Sequence, residues 1–147
     1  MRDLSTAQHE AAHVVVGIAL GLRLRKAVIG KSPRLNWTAP GYAWFTSHGS
    51  ALAHAIMYAA GVIWEQAHGN ESPLDYKYML EELSIKDGEN VPGAEEAEVR
   101  TCLRLAKYIL KDRMQAHKRV TKALLEKDLT DRDIRAIARG EKITEAD

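Results

Sequence analysis

Cysteine is nearly missing from this sequence: Cys102 stands alone among 147 residues. That excludes an intramolecular disulfide framework and any metal site built on several thiolates, and it fits a reducing compartment such as the cytoplasm. Charge of one sign is missing too. Lys and Arg number 21 against 20 Asp and Glu, a net +1, so no global field favours nucleic acid or an anionic membrane. The longest apolar run, Val14 to Leu22, is interrupted by Gly17 and Gly21 and falls short of the roughly 20 residues that cross a bilayer. The start of the chain, one Arg followed by Asp3 and polar residues, does not read as an export signal or anchor. Internal repeats, low-complexity segments and a G-x-x-x-x-G-K-[ST] phosphate loop are also absent. What is present is a 46% hydrophobic composition, enough for one sizeable core, so a single domain over residues 1–147 is expected.

The hydrophobic pattern predicts a mainly α fold with a small β-sheet. Ser5-Thr6-Ala7-Gln8 reads as a capping box opening a first helix of about fifteen residues that Gly21 stops. Leu22 to Gly30 and Gly41 to Ser47 read as strands of a two- or three-stranded sheet, joined by a Pro/Asn/Gly-rich connection from Lys31 to Pro40. Ser47 or Ser50 caps a second helix to about His68, with Leu52, Ala55, Ile56, Ala59, Ala60, Ile63 and Ala67 as its apolar stripe. Ser72-Pro73 opens a third helix to about Leu83, followed by a loop from Ile85 to Gly93. Ala94 to Lys127 is a long amphipathic segment that breaks near Asp112 into two helices. Thr130-Asp131-Arg132-Asp133 is a last capping box, for a short helix that ends at Gly140.

The stretch His9-Glu10-Ala11-Ala12-His13 opens the apolar run, which places it on a buried helix. Histidines at i and i+4 face the same way, so both imidazoles can bind one divalent metal, and Glu10 is placed to act on a water beside it. This is the H-E-x-x-H pattern of zinc metallopeptidases. The context strengthens it, because imidazoles on an apolar helix each need a buried partner. The competing reading is a surface-facing polar stripe near the helix start.

A catalytic zinc takes three protein ligands, and Asp75, Glu71 and Glu65 are the candidates for the third. Glu71 and Asp75 have an E-x-x-x-D spacing that would make Glu71 the ligand, but that arrangement sits within a helix, and Pro73 puts Glu71 before one. Asp75 is therefore preferred, against the reading that it only favours the helix dipole. At helical spacing His54, Tyr58, Gly61, Glu65 and His68 share a face of the second helix. There Glu65 could orient a ligand histidine, and Gly61 would allow close approach of another helix; for His54 and His68 a solvated face is the simpler reading. Tyr42, Tyr58, Tyr76 and His68 are the candidates for oxyanion stabilisation.

In the order of these features the whole chain resembles the peptidase domain of the FtsH-type AAA+ zinc proteases. The family's H-E-A-G-H is matched by His9-Glu10-Ala11-Ala12-His13, with Ala12 at the usual Gly. Its β excursion is matched by Arg25 to Ile29 and Gly41 to Phe45, and its G-x-x-A-E-E-like segment loosely by Gly61 to Glu65. The family's third ligand, an Asp at the start of the next helix, falls at Asp75. Ala116 to Glu126 and Leu129 to Ile134 are similar to its C-terminal helices. The resemblance implies a single-domain helical bundle with a zinc ion on His9, His13 and Asp75, Glu10 as the catalytic acid/base and Glu65 behind a ligand. It implies hydrolysis of peptide bonds in flexible or unfolded polypeptides. The chain departs from the family in having no phosphate loop and no membrane span, so hydrolysis without ATP is expected, the neutral charge balance argues against nucleic acid or membrane as partner, and a homo-oligomer or a separate ATPase partner stays open. A catalytically inactive metal-binding or interaction module on the same fold is the alternative. A third reading, nucleic-acid binding by the cations between Arg104 and Arg119, is diluted by Asp112, Glu126 and Asp128.

Overall fold

The computed structural model describes residues 3–30, 41–86 and 94–138. Among them it is mainly helical with one small sheet: α1 Leu4–Ala19, β1 Leu24–Ile29, β2 Gly41–Phe45, α2 Ala51–Ala67, α3 Pro73–Lys86, α4 Ala94–Asp112, α5 Met114–Glu126 and α6 Asp131–Ala138. The expected connection Lys31–Pro40, most of the expected 85–93 loop and the stop at Gly140 lie outside the described residues. No described helix is long and apolar enough to cross a membrane.

α1 begins two residues earlier than its Ser5 capping box predicts. Asp3 is the N-cap, its Oδ2 accepting from the Thr6 backbone N–H at 2.9 Å and the Thr6 hydroxyl at 2.6 Å. A carboxylate serves as well as a hydroxyl at this position and adds a favourable interaction with the helix dipole. At the other end Gly21, at φ +80°, takes the left-handed conformation that ends the helix. Val14, Val15 and Val16 are poor intrinsic helix formers, but all three are buried. At about 1.5–3 kcal/mol for each fully buried side chain, burial outweighs propensity.

That burial is on two sides. Ala7, Ala11, Val14 and Val15 enter one core with Leu24 and Ala27 of β1, Val120 and Leu124 of α5, Leu129, and Ile134 and Ile137 of α6. Ala12 and Val16 enter a second with Ala55, Ile56, Ala59 and Ala60 of α2, Met79 and Leu83 of α3, and Val99, Cys102, Ala106 and Leu110 of α4. α2 packs against α1, α3 and α4, so Met57 and Val62 are buried beyond its predicted stripe, while Ala67, in the last turn, is exposed.

The sheet has two antiparallel strands, shorter than predicted, and what resembles a third is a single bridge in which Ala27 and Leu129 exchange both backbone hydrogen bonds, at 2.8 and 2.9 Å. Ser50 rather than Ser47 caps α2, α3 runs on to Lys86, and the break between α4 and α5 falls at Arg113. The last capping box forms reciprocally: Thr130 N–H donates to Asp133 Oδ2 at 3.1 Å and Asp133 N–H to Thr130 Oγ1 at 3.4 Å.

Candidate metal centre

Three helices bring the predicted donors together. His9 and His13 lie one turn apart on α1, Glu65 is in the last turn of α2, and Asp75 is in the first turn of α3. The nitrogens facing away from the centre are taken. His9 Nδ1 is 2.7 Å from Glu65 Oε1, and His13 Nδ1 is 2.8 Å from the Met57 carbonyl oxygen. A carbonyl or carboxylate oxygen accepts only, so each Nδ1 carries hydrogen and donates, which turns both Nε2 atoms inward.

The inward atoms converge. His9 Nε2 and His13 Nε2 are 3.2 Å apart, and Asp75 Oδ2 is 2.9 Å from the first and 3.1 Å from the second. In neutral rings the two Nε2 atoms are lone-pair sites, so three electron-rich atoms at this spacing repel one another unless positive charge lies between them. Two species supply it: a proton on the imidazoles, or a cation. As protonated rings, His13 is pulled down by burial but raised on balance to about 9 by the Asp75 carboxylate, and His9 is raised in the same way. Asp75 is pushed up by burial but held well below the ordinary carboxylate range by His13 and His9. As a metal site the set fits: two imidazole nitrogens and one carboxylate oxygen suit zinc, and tetrahedral ligands at about 2.0–2.2 Å lie roughly 3.3–3.6 Å from one another, close to the spacing here.

Glu10 is the fourth member. A ligand atom from each of His9, Glu10 and His13 lies within 4.8 Å of the others, a looser group than the two histidines with Asp75. Its carboxylate is buried, and Oε2 has no hydrogen-bond partner among the described residues. Leaving a charged oxygen unsatisfied costs several kcal/mol or shifts its protonation. Burial does raise the Glu10 pKa, partly offset by His13 and His9. An orphaned carboxylate beside converging donors is what a small polar ligand or water would satisfy.

Gly61 makes the convergence possible. A Cβ at this position would meet the Asp75 carboxylate and stand 2.6 Å from His13 Cε1 and Nε2. α2 passes close enough to seat Asp75 against α1 only because that atom is missing. Ser72 completes the setting, its hydroxyl donating to Asp75 Oδ2 at 2.6 Å.

No family model and no curated protein matches the chain.

The other candidates are placed elsewhere. Glu71 is exposed in the turn before α3. His54 Nε2 donates to the His48 carbonyl, and His68 Nδ1 to the Trp64 carbonyl. Of the proposed oxyanion groups, Tyr58 sets its ring edge-on to His13 at 6.4 Å, whereas Tyr76 is exposed.

Two residues carry signals that spacing does not reveal. His117 is buried on α5, donates from Nε2 to the Gln8 carbonyl at 2.9 Å, and stacks on Trp64 at 4.3 Å. Arg25 is the extra residue of a bulge in β1, which pairs Leu24 with Phe45 and Lys26 with Trp44.

Proposed function

We propose that this chain is a zinc-dependent endopeptidase of FtsH-like type, acting on flexible or unfolded polypeptides. One observation carries the reading: His9 Nε2, His13 Nε2 and Asp75 Oδ2 converge within 3.2 Å of one another beside a buried, unpartnered Glu10 oxygen. His9, His13 and Asp75 would hold the zinc. An ion held there would polarise the scissile carbonyl and make water a usable nucleophile near neutral pH.

The chain's own residues do the rest. Glu65 and the Met57 carbonyl fix the two rings so that no reorientation is needed on binding. Glu10 takes the proton of the attacking water and passes it to the leaving amine. Its burial raises its proton affinity towards the range that suits this exchange.

The substrate adds along β2. Because Ala27 turns its N–H and C=O to Leu129, the Ala27–Ala43 pair is a non-hydrogen-bonded one, and the N–H and C=O of Ala43 face away from β1. Among the described residues no strand pairs with that edge. It runs beside the centre: Gly41 lies against Thr6 and Glu10, and Phe45 against Gly17. An extended peptide that bonds to this edge lies along the turn of α1 that carries Glu10 and His13.

Glu10→Gln tests the reading. The variant is expected to keep the zinc content of the wild type while hydrolysis of a permanently unstructured protein falls at least about 100-fold. Zinc retained with hydrolysis unchanged would refute the assignment and leave a metal-binding module.

A further inference from the structure

A cavity of about 560 Å³ opens beside the candidate centre, with Arg25, Trp44, Phe45, His54, Tyr58 and Glu82 among its walls. Two of these residues reach back to the centre. Tyr58 meets the His13 ring, and Phe45 packs on Gly17, one turn beyond His13 on α1. The cavity also adjoins the C-terminal half of β2, the strand along which the substrate is proposed to lie.

Arg25 gives the cavity its chemistry. As the extra residue of the bulge it leaves the in-and-out alternation of β1, and bulges of this kind re-aim one side chain. Its guanidinium carbon lies 5.2 Å from the centre of the Trp44 ring, where the negative face of the indole holds a cation without neutralising it. Among the described residues no carboxylate pairs with it. Trp44, Phe45 and Tyr58 supply apolar surface for the stem of a side chain. Glu82 lines the same cavity, and its charge is felt at Tyr58. That repels an anion from the Tyr58 wall and leaves the Arg25–Trp44 wall to accept one.

We infer that this cavity is a specificity subsite and that Arg25 makes it select a carboxylate on the substrate. The inference rests on the peptidase reading above for what the occupant is. Trp44 lies three positions after Gly41, which lies against Glu10. At about 3.3 Å per residue the selected group lies roughly two to three residues from the scissile bond. An acidic side chain and the C-terminal carboxylate of the substrate present the same chemistry.

The test is binding to the zinc-loaded Glu10→Gln protein, read by fluorescence anisotropy of labelled unstructured peptides. One pair differs by Glu against Gln at a single internal position, scanned along the peptide, and a second pair by a C-terminal acid against its amide. The expected result is about fivefold tighter binding of the carboxylate member of one pair, the discrimination of a half-exposed ion pair. It should disappear in Glu10→Gln/Arg25→Ala and pass to a Lys-containing peptide in Glu10→Gln/Arg25→Glu. Which pair discriminates identifies the source of the carboxylate. No discrimination in either pair, or discrimination that survives Arg25→Ala, overturns the inference. Cleavage of the same peptides by the wild type separates the two claims. Cleavage indifferent to the carboxylate removes the subsite and leaves the peptidase, whereas Arg25-dependent binding without any cleavage removes the peptidase and leaves the subsite.

Discussion

Two histidine clusters lie against α1, and they use their rings in opposite ways. In the first, His9 and His13 give their Nδ1 hydrogens to Glu65 and the Met57 carbonyl and turn Nε2 towards each other and Asp75. In the second, His68 and His117 lay their ring faces on Trp64 at 4.5 and 4.3 Å, and each spends a ring nitrogen on a backbone carbonyl. One cluster leaves lone pairs converging on a common point, while the other leaves stacked apolar surface. A histidine is ligand-like when its outer nitrogen is already occupied and its inner one is not, whatever its position in the sequence.

The contrast can be broken hardest at Gly61. Gly61→Ala places a methyl group against His13 and Asp75, so zinc affinity, measured by chelator competition, should fall by about 100-fold or more while helical content is retained, exceeding the loss from removing a supporting partner alone. Glu65→Ala removes only the acceptor behind His9 and should cost about 10–100-fold in zinc affinity, with Glu65→Gln milder because its amide oxygen still accepts.

In the second cluster the expected effect is on stability instead. His117→Ala leaves the Gln8 carbonyl and one face of Trp64 without their partner, and urea unfolding should show a loss of about 2–3 kcal/mol with zinc affinity nearly unchanged. Burial holds the His117 pKa below its ordinary 6.5, with the Gln8 hydrogen bond opposing and His68 assisting. The fold therefore accommodates the neutral ring. Its contribution is complete above pH 6.5 and is lost as the pH falls through the lowered value, so stability should drop more steeply on acidification in the wild type than in His117→Phe. His68→Ala, an exposed member of the same stack, should change stability by no more than about 0.5 kcal/mol.

The local chemistry of the fold was legible where one residue type has one good use. A serine cap for α2 (Ser47 or Ser50, of which the structure uses Ser50), the reciprocal Thr130–Asp133 box and Pro73 at the start of α3 follow from short-range hydrogen bonding and fixed φ. So was the shared face of Gly61 and Glu65, because helical spacing alone defines it. The reading of Ser5 as the first cap missed by two residues, since Asp3 caps equally well and packing decides between them. His117 was hidden because its partners, Gln8 and Trp64, are distant in sequence. Arg25 was hidden because a bulge displaces one residue from a pattern that otherwise alternates correctly. The bridge from Leu129 to β1 depends on where α5 ends in space, which no local pattern encodes.

Among the described residues α1 is the one element that both hydrophobic cores hold in common. A motion that tips His9, Glu10 and His13 out of alignment must therefore disturb packing on both sides at once. His9, Glu10 and His13 thus ride on a helix gripped from both sides, and movement around them falls to the elements packed against it.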